Sequence, residues 1–227
     1  TKVDSPAGIQ FERDDVRKLR FNSKDVDYTL NFTRKYYKDS IGNRYEKYDG
    51  HYYKFEDVKF VKIPKQNTWF TKKIIDFTPF NIYVSNYPDN AKPERSIFKA
   101  MVEEIGKILG TTTYMPTYDD GEFSVKPILD ASDSNVDPKL KLDATDYAKA
   151  VLNQYSGNQP YYRGADMNLY PSATEHPSYN GSKEHIWWLG TQSLYALPRS
   201  RSIDFHGHLT YTIVHRVLGV VVCIRAN

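Results

Sequence analysis

The residues best spaced for chemistry are His206-Gly-His208, with Asp204 just before them and His215 further on. Two imidazoles two positions apart on a strand share a face and could ligate an open, nickel- or zinc-like centre. The glycine between them points instead to a tight turn that leaves both rings in solvent. Asp133-Ser-Asn-Val-Asp137 places oxygen donors at alternating positions, as the start of a calcium loop does. Pro138 stands where that loop needs glycine and Ala144 where it needs a bidentate glutamate, so a solvated turn ahead of a helix is the reading. Glu175-His176 and Glu184-His185 could exchange protons, yet nothing in the sequence pairs either with a nucleophile. Cys223 is the single cysteine, which excludes an intrachain disulfide and a Cys-rich zinc site. Its apolar run, Gly219-Val-Val-Val-Cys-Ile-Arg225, marks it as a small buried hydrophobe. There is no glycine-rich phosphate loop and no Gly-x-Ser-x-Gly elbow. The expectation is therefore a chain without catalytic residues, resident metal or cofactor.

What must position any remaining site is mostly sheet. His185-Ile-Trp-Trp-Leu-Gly190, Ile203-Asp-Phe205, Leu209-Thr-Tyr-Thr-Ile213 and the run ending at Arg225 are rich in aromatic and β-branched residues. Bounded by Gly, Ser and Asn, they read as an antiparallel meander in which one of the two tryptophans is core. Ile97, Met101, Ile105 and Ile108 form the stripe of a helix over 94–109, with Pro93 before it and Gly110 after it. A second helix is predicted over 144–154 behind Asp143 as its N-cap. Long loops over 111–141 and 158–183 separate these elements, and loops of that length are usually functional or disordered. Upstream, Tyr48-Asp-Gly50 is a hairpin cue, Tyr28-Thr-Leu-Asn-Phe-Thr33 alternates, and Tyr52 to Ile63 is strand-like. The chain up to about Asp49 is charged and lacks a clear apolar period, and residues 1–41 read as an N-terminal extension before a domain over 42–227.

Composition narrows the partners. The net charge of +3 comes from Lys and Arg interspersed with Asp and Glu, which argues against a nucleic-acid surface. No apolar run reaches the length that crosses a bilayer. The opening Thr1-Lys-Val-Asp-Ser5 reads as a cut end, which leaves secretion open. Tyrosine is abundant, 19 residues against 11 Phe, and suits half-buried sheet faces and adaptable binding surfaces.

Several segments, in order, carry a resemblance. Gly42-Asn-Arg-Tyr-Glu-Lys-Tyr-Asp-Gly-His-Tyr-Tyr-Lys-Phe-Glu56, Lys73-Ile-Ile-Asp-Phe-Thr-Pro-Phe-Asn81, Asp143-Ala-Thr-Asp-Tyr-Ala-Lys-Ala150 and His185-Ile-Trp-Trp-Leu-Gly-Thr191 resemble an uncharacterised family of bacterial and phage surface domains. The chain departs from it at Gly190-Thr-Gln-Ser193 and at Val221-Val222, where that family has Arg-Ser-Pro and Arg-Pro. The family is similar to the C-type-lectin-like fold, shared with formylglycine-generating-enzyme-like domains and retroelement-diversified receptor-binding proteins of phages. The resemblance implies an α+β, C-type-lectin-like domain: two helices on one side, a twisted antiparallel sheet in the C-terminal half, and paired terminal strands. It further implies an extracellular, cell-surface or virion setting.

The candidate binding residues are Trp187, Tyr195, Arg199, Arg201, His206, His208, Tyr211 and His215. They lie on or between the C-terminal strands and are of the types that dominate binding hot spots. The leading expectation is a non-enzymatic domain that recognises a protein or glycan through that face. A structural or assembly module, whose segment 1–41 pairs with a neighbour to form a homo-oligomer, is the alternative. A divergent metal-dependent enzyme using His206 and His208 is a third.

Overall fold

Alternation writes a long hairpin into the most charged part of the chain. In the computed structural model, which describes residues 1–62, 67–82, 87–117, 140–156, 183–192 and 198–226, strands β2 (Gln10–Ser23) and β3 (Val26–Lys38) pair antiparallel. Arg17, Leu19, Phe21 and Ser23 of β2, with Leu30, Arg34 and Tyr36 of β3, are buried, Phe32 packs beside them, and the alternate residues face solvent. The pairing continues through β4 (Arg44–Tyr48), β5 (His51–Lys54) and β1 (Lys2–Val3), giving a five-stranded sheet in the order β1-β5-β4-β3-β2. Residues 1–41 are thus strands of a sheet shared with residues beyond 41. The Tyr48-Asp-Gly50 cue is the β4–β5 turn, with Asp49 and Gly50 both at positive φ.

Lys24-Asp25 closes the β2–β3 hairpin, and neither residue is glycine although φ is 49° and 57°. Their left-handed backbone is held from outside: Lys24 N donates to the Asn90 side chain at 3.0 Å, and Asp25 takes Arg95 at 2.7 Å and the Tyr87 hydroxyl. Lys24→Asn keeps the backbone contact and suits the left-handed region, so it is expected to stabilise by about 0.5–1 kcal/mol. A urea titration reads this directly, and an unchanged or lowered midpoint would show the lysine side chain to be part of the turn.

The next strands are β6 (Phe60–Lys62), β7 (Thr68–Thr71) and β8 (Asp76–Pro79). A 3₁₀ turn at Pro93–Arg95 leads into α1 (Ile97–Leu109), capped by the Ser96 side chain on Lys99 N and ended by Gly110 at φ 69°. After β9 (Leu142–Asp143) comes α2 (Asp146–Ser156), and its N-terminal cap is Thr145, whose hydroxyl accepts from Ala148 N. Asp143, the expected cap, belongs to β9, which pairs with β10 (Glu184–His185). β11 (Trp187–Gln192), β12 (Arg199–Ile203), β13 (Leu209–Ile213), β14 (Val217–Val220) and β15 (Cys223–Arg225) complete the chain.

A second five-stranded sheet runs β13-β12-β11-β14-β8, antiparallel except for the β11–β14 pair. β8 and β14 are buried at every position because both faces are covered. Trp187 and Phe77 join Ala148, Val151 and Leu152 of α2 on one face. Trp188, Leu218 and Phe80 join Phe98, Val102 and Ile105 of α1 on the other. Both indoles are therefore fully buried, Trp187 donating to the Leu140 carbonyl and Trp188 to that of Thr78, each at 2.9 Å. The remaining face of α1 meets the hairpin through Ile97, Ala100 and Met101 against Leu19, Phe21 and Leu30.

The architecture is α+β, with two helices and several antiparallel sheets. Three expectations need correction. The C-terminal run is two strands: Val220 pairs with Asp76 of β8, whereas Cys223 pairs with Phe70 of β7 in a separate three-stranded sheet, β15-β7-β6. The end strands are not paired with each other, since β1 lies on β5 and β15 on β7. The helices do not share one side either: α1, which precedes the midpoint of the chain, and α2 cover opposite faces of the second sheet.

Candidate functional site

β12 reads Arg-Ser-Arg-Ser-Ile, and the strand period sorts these side chains to opposite faces. Ser200 and Ser202 are buried; Ser200 donates to the carbonyls of Leu189 and Thr191, and Ser202 shares a 3.0 Å hydrogen bond with Thr212. Arg199 and Arg201 take the other face, roughly 7 Å apart along the strand. Across the ladder Arg201 stands opposite Tyr211, and the Arg199 guanidinium lies over the Tyr211 ring at 5.1 Å. Tyr211 is 38% exposed. Among the described residues neither arginine meets a carboxylate, and the Nε of each is buried without a hydrogen-bond partner. Two fork-shaped donors beside a phenol are the equipment for holding a carboxylate, sulfate or phosphate group.

The histidines do not join into one set. His206 and His208 occupy the turn between β12 and β13, where Asp204 Oδ1 accepts from both of their backbone N–H groups at 2.9 and 2.8 Å. His208 Nδ1 stands 3.5 Å from the other Asp204 oxygen, and Gly207 takes a φ of 87°. His215 lies past the opposite end of β13, in the turn to β14 and on the side where Arg199 begins β12. Among the described residues no three His, Cys, Asp or Glu side chains are grouped as a metal site. Trp187 must be struck from the binding set, because a wholly buried indole offers nothing outward. Tyr195, Asp133–Asp137 and Glu175-His176 lie outside the described residues. His185 is buried against the Phe77 ring, at 5.6 Å between centroids. What the fold brings together is Arg199, Arg201 and Tyr211, with His215 at the neighbouring turn.

A second constellation escaped the sequence reading. Arg34 of β3 is buried between Glu46 of β4, at 2.7 Å, and Asp76 of β8, at 3.6 Å. The Tyr147 ring of α2 lies 5.1 Å from the guanidinium. Burial works against the Arg34 charge, but Tyr147, Glu46 and Asp76 outweigh it and hold the group charged beyond its ordinary range. Burial pushes the Asp76 carboxyl up to about 6, with Arg34 and the Phe77 N–H opposing the shift. The Tyr147 hydroxyl is raised well above its usual value by burial. Perturbed groups of this kind often mark active sites. Here Arg34, Glu46 and Asp76 are each no more than 9% exposed, so the cluster ties the first sheet to the second and to α2. A signal was present: Asp76 interrupts Ile74-Ile75 and Phe77, and a lone carboxylate in an apolar run requires a buried partner.

Comparison with protein-family models, with curated proteins and with solved structures finds no match for this chain.

Proposed function

We propose that this chain is a non-enzymatic recognition domain that binds an anionic group on a protein or glycan through the β12–β13 face. The observation that supports it is the pair Arg199 and Arg201, lacking carboxylate partners among the described residues and set beside the part-exposed Tyr211. The C-type-lectin-like frame belongs to the same proposal, as does a place on a cell surface or virion. Both rest on the resemblance of the quoted segments.

The test is an array of sialylated, sulfated and neutral glycans together with surface-protein ectodomains, probed with the folded chain. Binding to acidic members is expected to fall at least about tenfold in Arg199→Ala/Arg201→Ala and to weaken with salt. Equal binding by the double variant, or preference for neutral ligands, would remove this face from the proposal. An assembly role is the second reading, favoured by the strand edge that β2 leaves unpaired among the described residues.

A further inference from the structure

Strand β2 is long, lies at the edge of its sheet, and among the described residues pairs with β3 alone. Such an edge is a template for another strand unless something blocks it. The hairpin turn has two residues, so Ser23 and Val26 form a mutually hydrogen-bonded pair. Antiparallel alternation then directs the backbone groups of Asn22, Arg20, Lys18, Val16 and Asp14 outward, to the free edge. The side chains of Asp14, Val16, Lys18 and Arg20 are all exposed, and Val16 is an apolar residue left 57% in solvent.

The order of charges along this edge is the informative part. Around Val16 the sequence reads Asp14-Asp15-Val16-Arg17-Lys18, with acids on one side and bases on the other. We propose that β2 pairs antiparallel with β2 of a second copy of this chain, about a two-fold axis at Val16. In that register Asp14 faces Lys18 of the second copy, an exposed contact made twice by symmetry, while Asp15 comes opposite Arg17, which is buried and bonded to Tyr36 within its own chain. Val16 meets itself through its outward N–H and C=O, and the exposed side chains pack at the axis. The two five-stranded sheets become one continuous ten-stranded sheet. Both β2 edges are consumed, so growth through this edge stops at the dimer.

The same charges reject the alternatives. Parallel in-register pairing sets Asp14 on Asp14 and Lys18 on Lys18. Moving the axis one or two residues, to Asp14, Asp15, Arg17 or Lys18, places that charged residue directly opposite its own copy. Like charges directly opposite are destabilising, so the edge specifies one register while resisting indiscriminate strand addition. This surface lies on a different sheet from the Arg199 face, so the dimer stands or falls independently of the recognition proposal.

Sedimentation velocity and light scattering on the full chain test it, at loadings up to about 100 μM, a range suited to a small, charge-led interface. At low salt the expected mass is twice 26.4 kDa, shifting toward the single-chain mass as salt screens the two Asp14–Lys18 ion pairs. Lys18→Asp and Asp14→Lys should each weaken dimerisation at least about tenfold, because each sets like charges opposite one another twice. The double variant Asp14→Lys/Lys18→Asp restores opposite charges and should dimerise again. Circular dichroism confirms that each exposed-site variant is folded. A chain that stays monomeric at the highest loading overturns the proposal. So does a dimer indifferent to Lys18→Asp, or a charge swap that fails to restore association.

Discussion

Arg34→Met is expected to destabilise the protein by about 3–5 kcal/mol, the largest loss anticipated from any single exchange of a charged residue among the described residues. The methionine fills much of the volume, so the loss is not chiefly a cavity. It comes from leaving Glu46 and Asp76, at 3% and 2% exposure, buried together without their cation. Two buried carboxylates in that position will take up protons, and the defect should therefore be smaller at pH 5 than at pH 8. Adding Glu46→Gln and Asp76→Asn to the same chain should recover part of the loss, since the uncompensated charges are then gone. Chemical denaturation of the three chains at both pH values measures all of this. A single variant within about 1 kcal/mol of the parent, well under the range for a broken buried pair, would mean that the cluster is not the tie between the sheets that its geometry implies.

That cluster also shows where sequence reasoning reached and where it stopped. α1 was legible because its apolar stripe and its terminal Pro and Gly agree; only its start moved, since Pro93–Arg95 makes a 3₁₀ turn before Ser96 caps the helix. The β4–β5 hairpin was legible from Asp49-Gly50 for the same reason of agreement between levels. The longer hairpin was not, because its turn is Lys24-Asp25, whose left-handed backbone depends on Asn90 and Arg95 far along the chain. Its inward face also includes Arg17 and Arg34, which break the apolar period that a strand search relies on. Of the binding residues, Arg199 and Arg201 were expected ahead of a strand at Ile203-Asp-Phe205, whereas β12 is Arg199–Ile203 with Phe205 in the turn, and their shared face with Tyr211 comes from the β12–β13 register. Trp187 could not be told from Trp188, because covering of both sheet faces depends on two helices and on strands from distant parts of the chain. The break at Val221-Val222 was invisible for a related reason: a continuous apolar run does not reveal that its halves serve different sheets.

Asp76 should impose a pH dependence opposite to that of ordinary surface carboxylates. Its ordinary value is 3.8 and burial raises it to about 6 in the folded chain, so between these values the native state holds a proton that the unfolded state has released. Stability linked to this group is therefore complete below 3.8 and is lost as pH rises through about 6. The full swing corresponds to on the order of 3 kcal/mol. The groups facing Asp76 are Arg34, the Phe77 N–H, Glu46 and Arg17, and Arg34 remains charged across this range. Asp25, Asp39, Asp143 and Glu56 are held below their ordinary values, so their contributions disappear only at more acid pH. Asp76→Asn retains an oxygen for the 2.8 Å hydrogen bond from Phe77 N and has no proton to exchange. Urea midpoints of the parent should fall between pH 4.5 and 7, while those of Asp76→Asn should stay level or rise. Parallel profiles for the two chains would place the ionised carboxylate in contact with water and contradict its burial beneath Arg34.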